Sequence, residues 1–264
     1  MTEIQLIEEM LRETAEIVQE KYAIRSTVKV SSKDEPNDLL TEADLAVQDV
    51  ICERIAQVFP NDAIAAEERN LDHQPADPNT RCWVIDPIDG TQNFVRGIFP
   101  IFGISIAFAL GGQPVAGGIM FPIDNDLFLA ERGAGTHRNG KPQHVSQITD
   151  ISTARIEIDF ADRENRKETL ERGNAIIEQA GQIRCNGSTV HGLCSIASAD
   201  MEAFFHIGLY PWDYAAAQII VEEAGGKATR LDGAPLMLFD NKKGLLASNT
   251  HLHDQLIEMV KPLA

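Results

Sequence analysis

The segment Trp83-Val84-Ile85-Asp86-Pro87-Ile88-Asp89-Gly90-Thr91 runs an apolar strand into two carboxylates three residues apart, then a glycine and a hydroxyl. Pro87 fixes its own φ and favours an extended residue before it, which would hold Asp86 at the end of the strand. Gly90 permits close backbone approach, and the residues after it could open a helix whose free N–H groups attract an anion. Carboxylates beside an anion-accepting turn repel one another, and would repel a phosphate, unless cations intervene. At about 4.5 Å and an effective dielectric near 20, each like-charged pair costs roughly 3–4 kcal/mol. Hard divalent ions such as Mg²⁺ remove that cost and bind oxygen donors, often beside a substrate phosphate. The plain alternative is a strand-to-turn segment whose aspartates cap backbone amides.

Three other acidic places could join such a site. Residues 63–66 read as a short strand ending at Glu67-Glu68, much like the end of the Trp83 strand, although a solvated acidic turn would have the same sequence. Asp213 follows Pro211-Trp212 just inside a helix start, where an aspartate also suits the N-terminal dipole. Thr41 and Asp44 have capping-box spacing, and capping alone would explain them.

Positioning these residues requires a layered fold. Ile4, Ile7, Leu11 and Val18 recur near helical spacing, with Thr2 and Gln5 as a capping pair. A second helix is predicted after Thr41, with Val47, Val50, Ile51, Ile55 and Val58 on one face and Pro60 as its stop. Short apolar runs follow at 63–66, 82–85, 101–110, 115–121 and 127–130, and Asn139-Gly140 signals a two-residue hairpin. The later half alternates: strand 154–160, helix 163–180, helix 190–199, strand 201–207, helix 211–224, strands 227–231 and 244–248, and a last helix. Helices and strands come in runs rather than strict βαβ order, which makes the fold class layered α+β.

Composition narrows the function. The 264 residues carry 40 acidic against 23 basic side chains, a formal charge of −17. Such a surface repels phosphate backbones and anionic lipid, so neither nucleic acid nor a membrane is an expected partner. Residues 98–123 hold no charge, but Pro100, Gly103, the Gly111-Gly112-Gln113-Pro114 turn and Gly117-Gly118 divide them into two buried strands rather than a spanning helix. Residues 1–13 have neither a basic start nor an apolar signal core. The four cysteines show no C-x-x-C pairing, so a reducing cytoplasm is the expected setting.

In order along nearly the whole chain, the segments Asp38-Leu39-Leu40-Thr41-Glu42-Ala43-Asp44 (with Lys33 ahead), Ala66-Glu67-Glu68, Asp86 to Thr91 and Trp212-Asp213 followed by Gly225-Gly226 resemble the signatures of the inositol monophosphatase family of metal-dependent phosphomonoesterases. The resemblance implies an αβαβα sugar-phosphatase fold over 1–264 as one catalytic unit, with approximate halves 1–148 and 149–264. It implies two or three Mg²⁺ ions. Glu67, Asp86 and the Ile88 carbonyl would hold the first; Asp86, Asp89 and Asp213 would hold the second; a third, weaker ion would sit near Glu67. Asp44 and Thr91 would orient and deprotonate the attacking water, and the N–H groups of Gly90 and Thr91 would receive the phosphate.

Gly187-Ser188 resembles the family's pair near the substrate, whereas His191 is expected to be structural. Two positions depart from the pattern. Ala66 replaces a glycine, and His206 stands where inositol phosphatases carry a glutamate that accepts from sugar hydroxyls. A histidine that faces the pocket makes inositol less certain; the other possibility is a surface histidine at a strand end. Inositol 1-phosphate is the expected substrate, with histidinol phosphate, fructose 1,6-bisphosphate and adenosine 3′,5′-bisphosphate as alternatives on the same scaffold. Gln92-Asn93-Phe94 after the signature favours the inositol and histidinol branches. A non-catalytic, protein-binding member is the alternative from another class. The resemblance also implies a homodimer and inhibition by lithium.

Overall fold

A computed structural model describes residues 1–32, 39–68, 80–97, 99–160, 163–238 and 244–261; Lys33 and Asp38 lie outside them. Helix α1 (Glu3–Ala23) begins at the expected cap, where Thr2 and Gln5 exchange backbone-to-side-chain hydrogen bonds. It buries Leu6, Ile7, Met10, Leu11 and Val18. Helix α2 (Glu42–Val58) buries Val47, Ile51 and Ile55 and packs beside α1. Ahead of α2, β1 (Val30–Ser32) and β2 (Leu39–Thr41) pair antiparallel.

Both helices cover one face of a seven-stranded sheet ordered as in the chain: β3 (Ala63–Ala66), β4 (Cys82–Asp89), β5 (Gly103–Leu110), β6 (Gln113–Phe121), β7 (Asp126–Glu131), β8 (Gly135–Arg138) and β9 (Lys141–Gln143). Only β3 and β4 run parallel. The charge-free run supplies β5 and β6, buried on both faces, and Asn139-Gly140 turns β8 into β9. Among the described residues no helix is long and apolar enough to cross a membrane.

The second sheet has the order β11 (Gln182–Arg184), β10 (Arg155–Ile158), β12 (Ala203–His206), β14 (Leu245–Asn249), β13 (Gly226–Thr229). Its first three strands are parallel; β12, β14 and β13 are antiparallel. Helices α5 (Thr189–Ala197) and α6 (Pro211–Glu223) fill the space between the sheets, where Leu193 and Ile219 share a core with Val84, Ile119, Phe204 and Ala247. Because α6 meets a sheet on each side, every residue from Tyr214 to Val221 is buried. Helices α4 (Arg166–Gln179) and α7 (His253–Val260) close the far face over Ile156, Phe205 and Leu246. The layers therefore run α, β, α, β, α.

Two expectations about elements need correction. Strand β4 does not end at Asp86. It continues through Pro87 to Asp89, because a register shift between Asp86 and Asp89 lets the ladder with β5 resume at Gly103 while Pro87, with no N–H to give, sits inside the irregularity. The strands β1, β2 and β11 were not predicted from the sequence; each has only three residues, too few to set a period.

Candidate active site

Pairing of β3 with β4 places the first two carboxylates together. The parallel register sets Ala66 opposite Ile85, and the Glu67 N–H extends the ladder to the Ile85 carbonyl at 3.2 Å, so Glu67 arrives beside Asp86. Gln48 of α2 fixes the next residue, donating to the Glu68 carbonyl at 2.7 Å and accepting from its N–H at 2.9 Å. Asp86 is 2 % exposed and accepts from the Ile88 N–H at 3.0 Å. Burial first, then the charges of Glu67, Asp89 and Asp213, and a hydrogen bond shared with Glu67, hold its carboxyl well above the usual range. Four acidic side chains, from the end of β3, from β4 and from α6, thus share one neighbourhood around the buried Asp86.

Asp89 is held by the other end of the interlayer. Helix α5 opens with Ser188 as its cap, and Ser188 Oγ donates to Asp89 Oδ2 at 2.5 Å. The Val190 N–H donates to the same oxygen at 3.0 Å and the Thr189 N–H to Oδ1 at 3.3 Å. Burial pushes Asp89 up to about 7 against the pull of these three donors. Asp213, at the third position of α6, accepts from the Tyr210 N–H at 2.7 Å, so its capping role is real and coexists with its closeness to Asp86.

Gly90 joins β4 to the short helix α3 (Thr91–Arg96) with φ +87°, and a Cβ there would lie 2.9 Å from the Ile101 carbonyl and 3.2 Å from Ser188 Cβ. Only glycine meets both demands. The Thr91 hydroxyl donates to the Ile88 carbonyl at 3.0 Å, so two of the predicted site atoms are each other's partners. Asp44 is fully buried; its Oδ2 accepts from the Thr41 N–H at 2.8 Å and the Thr41 hydroxyl at 2.5 Å, a complete capping box at the start of α2. Helix α3 packs on β2, which brings the Thr41 end of α2 toward Thr91.

On the second sheet, His206 is buried rather than a surface histidine, and its Nδ1 accepts from the Gly208 N–H at 3.0 Å. Gly187, at φ +72°, delivers Ser188. Burial lowers the pKa of His191, which packs edge-on against Phe121.

Sequence reasoning assigned no part in holding the site to three other groups. Asn93 Nδ2 donates to the carbonyls of Ile101 (2.8 Å), Asn186 (2.8 Å) and Gly187 (3.2 Å), which ties α3 to the Gly187-Ser188 turn. Glu157 of β10 accepts from Asn186 and is pushed up to about 7, by burial first. Glu157 belongs to no spaced motif, and Asn93 entered the sequence reading only as a branch marker within Gln92-Asn93-Phe94. The third is Gln48.

Among the described residues no three Asp, Glu, His or Cys side chains already form a cation site. The acids are gathered, and Glu67 and Asp86 share a hydrogen bond. All-oxygen donors crowded by like charge have the chemistry that a hard divalent ion satisfies.

The profile of the inositol monophosphatase family matches residues 2–263. The chain belongs to the inositol monophosphatase family. It is 35% identical over 229 residues to inositol monophosphatase 2 of Homo sapiens, covering 83% of this chain and 77% of that one. It is 30% identical over 254 residues to the Nus factor SuhB of Pasteurella multocida, covering 95% and 92%. The solved IMPase of Thermotoga maritima superposes with a TM-score of 0.84 at 30% identity, covering 96% of this chain and 94% of that one. The layered fold deduced above is therefore that of a phosphatase family.

Proposed function

We propose that the chain hydrolyses a small phosphate monoester, inositol 1-phosphate or a similar polyol phosphate, with Mg²⁺ as cofactor. The observation that carries this reading is the crowding of Glu67, Asp89 and Asp213 around the buried Asp86. Glu67, Asp86 and the Ile88 carbonyl would hold one ion and Asp86, Asp89 and Asp213 a second, with a weaker third near Glu67. Bound Mg²⁺ would neutralise the ester's charge, acidify a water and stabilise the departing alkoxide.

The chain's own groups do the rest. Asp44, held by Thr41, would accept the proton of the attacking water, and Thr91 would orient that water. The N–H groups of Gly90 and Thr91 would receive the phosphate, and Gly187, Ser188 and His206 would border the alcohol. With Nδ1 accepting from Gly208, a neutral His206 carries its proton on Nε2. That chemistry differs from a glutamate's and keeps histidinol phosphate, fructose 1,6-bisphosphate and adenosine 3′,5′-bisphosphate in the substrate panel. A cytoplasmic homodimer acting on a small phosphorylated substrate, with no nucleic acid or membrane as partner, completes the proposal.

Phosphate release from inositol 1-phosphate, measured with Mg²⁺ and then with excess chelator, tests it. Release that requires Mg²⁺ supports the reading; release unchanged in chelator contradicts it. A second reading, a member without catalysis, is favoured by the name Nus factor carried by the Pasteurella relative. Complete inactivity of the Mg²⁺-loaded protein across the substrate panel would favour it.

A further inference from the structure

Glu157 is fully buried on β10, and no cation among the described residues pairs with it. The guanidinium of Arg184, its register neighbour on β11, donates instead to Gln182 and the Ile183 carbonyl. Both hydrogen bonds that Glu157 accepts come from one residue: the Asn186 N–H reaches Oε1 at 2.9 Å and Asn186 Nδ2 reaches Oε2 at 2.9 Å.

Room for this carboxylate comes from α5. A Cβ on Gly192 would lie 2.9 Å from Glu157 Oε2 and 2.5 Å from the Phe204 ring. A glycine inside a helix and a carboxylate buried without a cation both weaken a fold, and an apolar side chain would suit the middle of a sheet better. What the pair gains is control of a turn. Asn186 leads into Gly187 and Ser188, and Ser188 with the first amides of α5 grips Asp89. The Asn186 carbonyl is also clasped by Asn93 of α3, so the turn is held from both sheets.

We propose that Glu157 is a positioning residue of the active site: by gripping Asn186 it fixes the Asn186-Gly187-Ser188 turn, and through that turn it orients Asp89. The proposal rests on the reading of Asp89 as part of a phosphatase site.

The test compares the full chain as wild type, Glu157→Val, Glu157→Gln and Asn186→Ala. Four quantities are read: the thermal midpoint, hydrogen exchange of the Thr189 and Val190 amides without metal, Mg²⁺ affinity by calorimetry, and kcat and KM for inositol 1-phosphate. In Glu157→Val the two amides exchange about tenfold faster, and Mg²⁺ affinity and kcat/KM each fall about tenfold, the scale on which groups behind a ligand act. Glu157→Gln recovers most of the loss, since its oxygen accepts from the Asn186 N–H and its amide donates to a flipped Asn186 carboxamide. A Glu157→Val protein with a lowered midpoint but amide exchange, Mg²⁺ affinity and kcat/KM within about twofold of wild type would overturn the proposal.

Should Glu157→Val not fold, Asn186→Ala, which removes one of the two bonds, decides: faster exchange at Thr189 and Val190 supports the proposal, unchanged exchange overturns it. An inactive wild type would remove the phosphatase reading alone, because the exchange measurement needs no activity.

Discussion

Asp86 and Asp89 sit three residues apart on one strand, yet opposite means hold them. Asp86 is surrounded by like charges, and its one backbone donor among the described residues, the Ile88 N–H, belongs to its own turn. Asp89 reaches across to the second sheet's helix and is met by one hydroxyl and two amides. A carboxylate supplied with donors from its surroundings can be charged without a metal; one supplied mainly with other carboxylates needs a cation. Asp86 is thus the electrostatic centre of the site, and Asp89 is the strut that joins the two sheets around it.

Substitutions separate the two roles. Asp86→Asn is expected to lower turnover by at least ~10²-fold, the scale of losing one electrostatic stabiliser. It should also raise the metal-free stability by about 1–2 kcal/mol at pH 8, since a crowded buried charge is gone; denaturant unfolding without Mg²⁺ checks this. Asp213→Asn removes a partner of Asp86 and should cut turnover by about 10²-fold at fixed Mg²⁺, recovering in part as Mg²⁺ is raised in steady-state assays. Ser188→Ala should destabilise by about 1–2 kcal/mol, because a carboxylate loses a charged hydrogen bond. Its activity loss should be smaller, about tenfold, if Asp89 is mainly a strut.

The smallest effect is a slope. Asp89 and Glu157 each titrate near 7 in the folded protein, above their ordinary values. Folded forms that hold protons more tightly are favoured at low pH, so this contribution is complete below the ordinary carboxylate range and is lost as pH rises through about 7. His253, lowered to about 4 by burial, opposes it. Comparing Glu157→Gln with wild type cancels that opposition, and the fall in metal-free stability between about pH 5 and 7 should be shallower in the variant.

What could be read from the sequence was local. The caps at Thr2 and Thr41, the Asn139-Gly140 turn, Pro211 at the first position of α6 and the strand entering Asp86 each depend on neighbours within a few residues, where spacing carries the physics. The run from Asp86 to Thr91 was legible because Pro, Gly and paired acids occur in one turn. The bond from Asn93 to Asn186 spans 93 residues and that from Asn186 to Glu157 spans 29, so no periodicity reveals them. The two readings of His206 stayed open at the level of sequence for a related reason. A polar residue at a strand end reads as exposed until the partner strand β14 and the interlayer helices bury it.

Asp86 is proposed to gather Glu67, Asp89 and Asp213 around divalent cations. Calorimetric titration of Mg²⁺ into the wild type and into Asp86→Asn at pH 8 tests it most directly. Saturable binding in the wild type that is lost or weakened at least tenfold in the variant is the predicted result; equal binding by the two proteins, or none by the wild type, would contradict it.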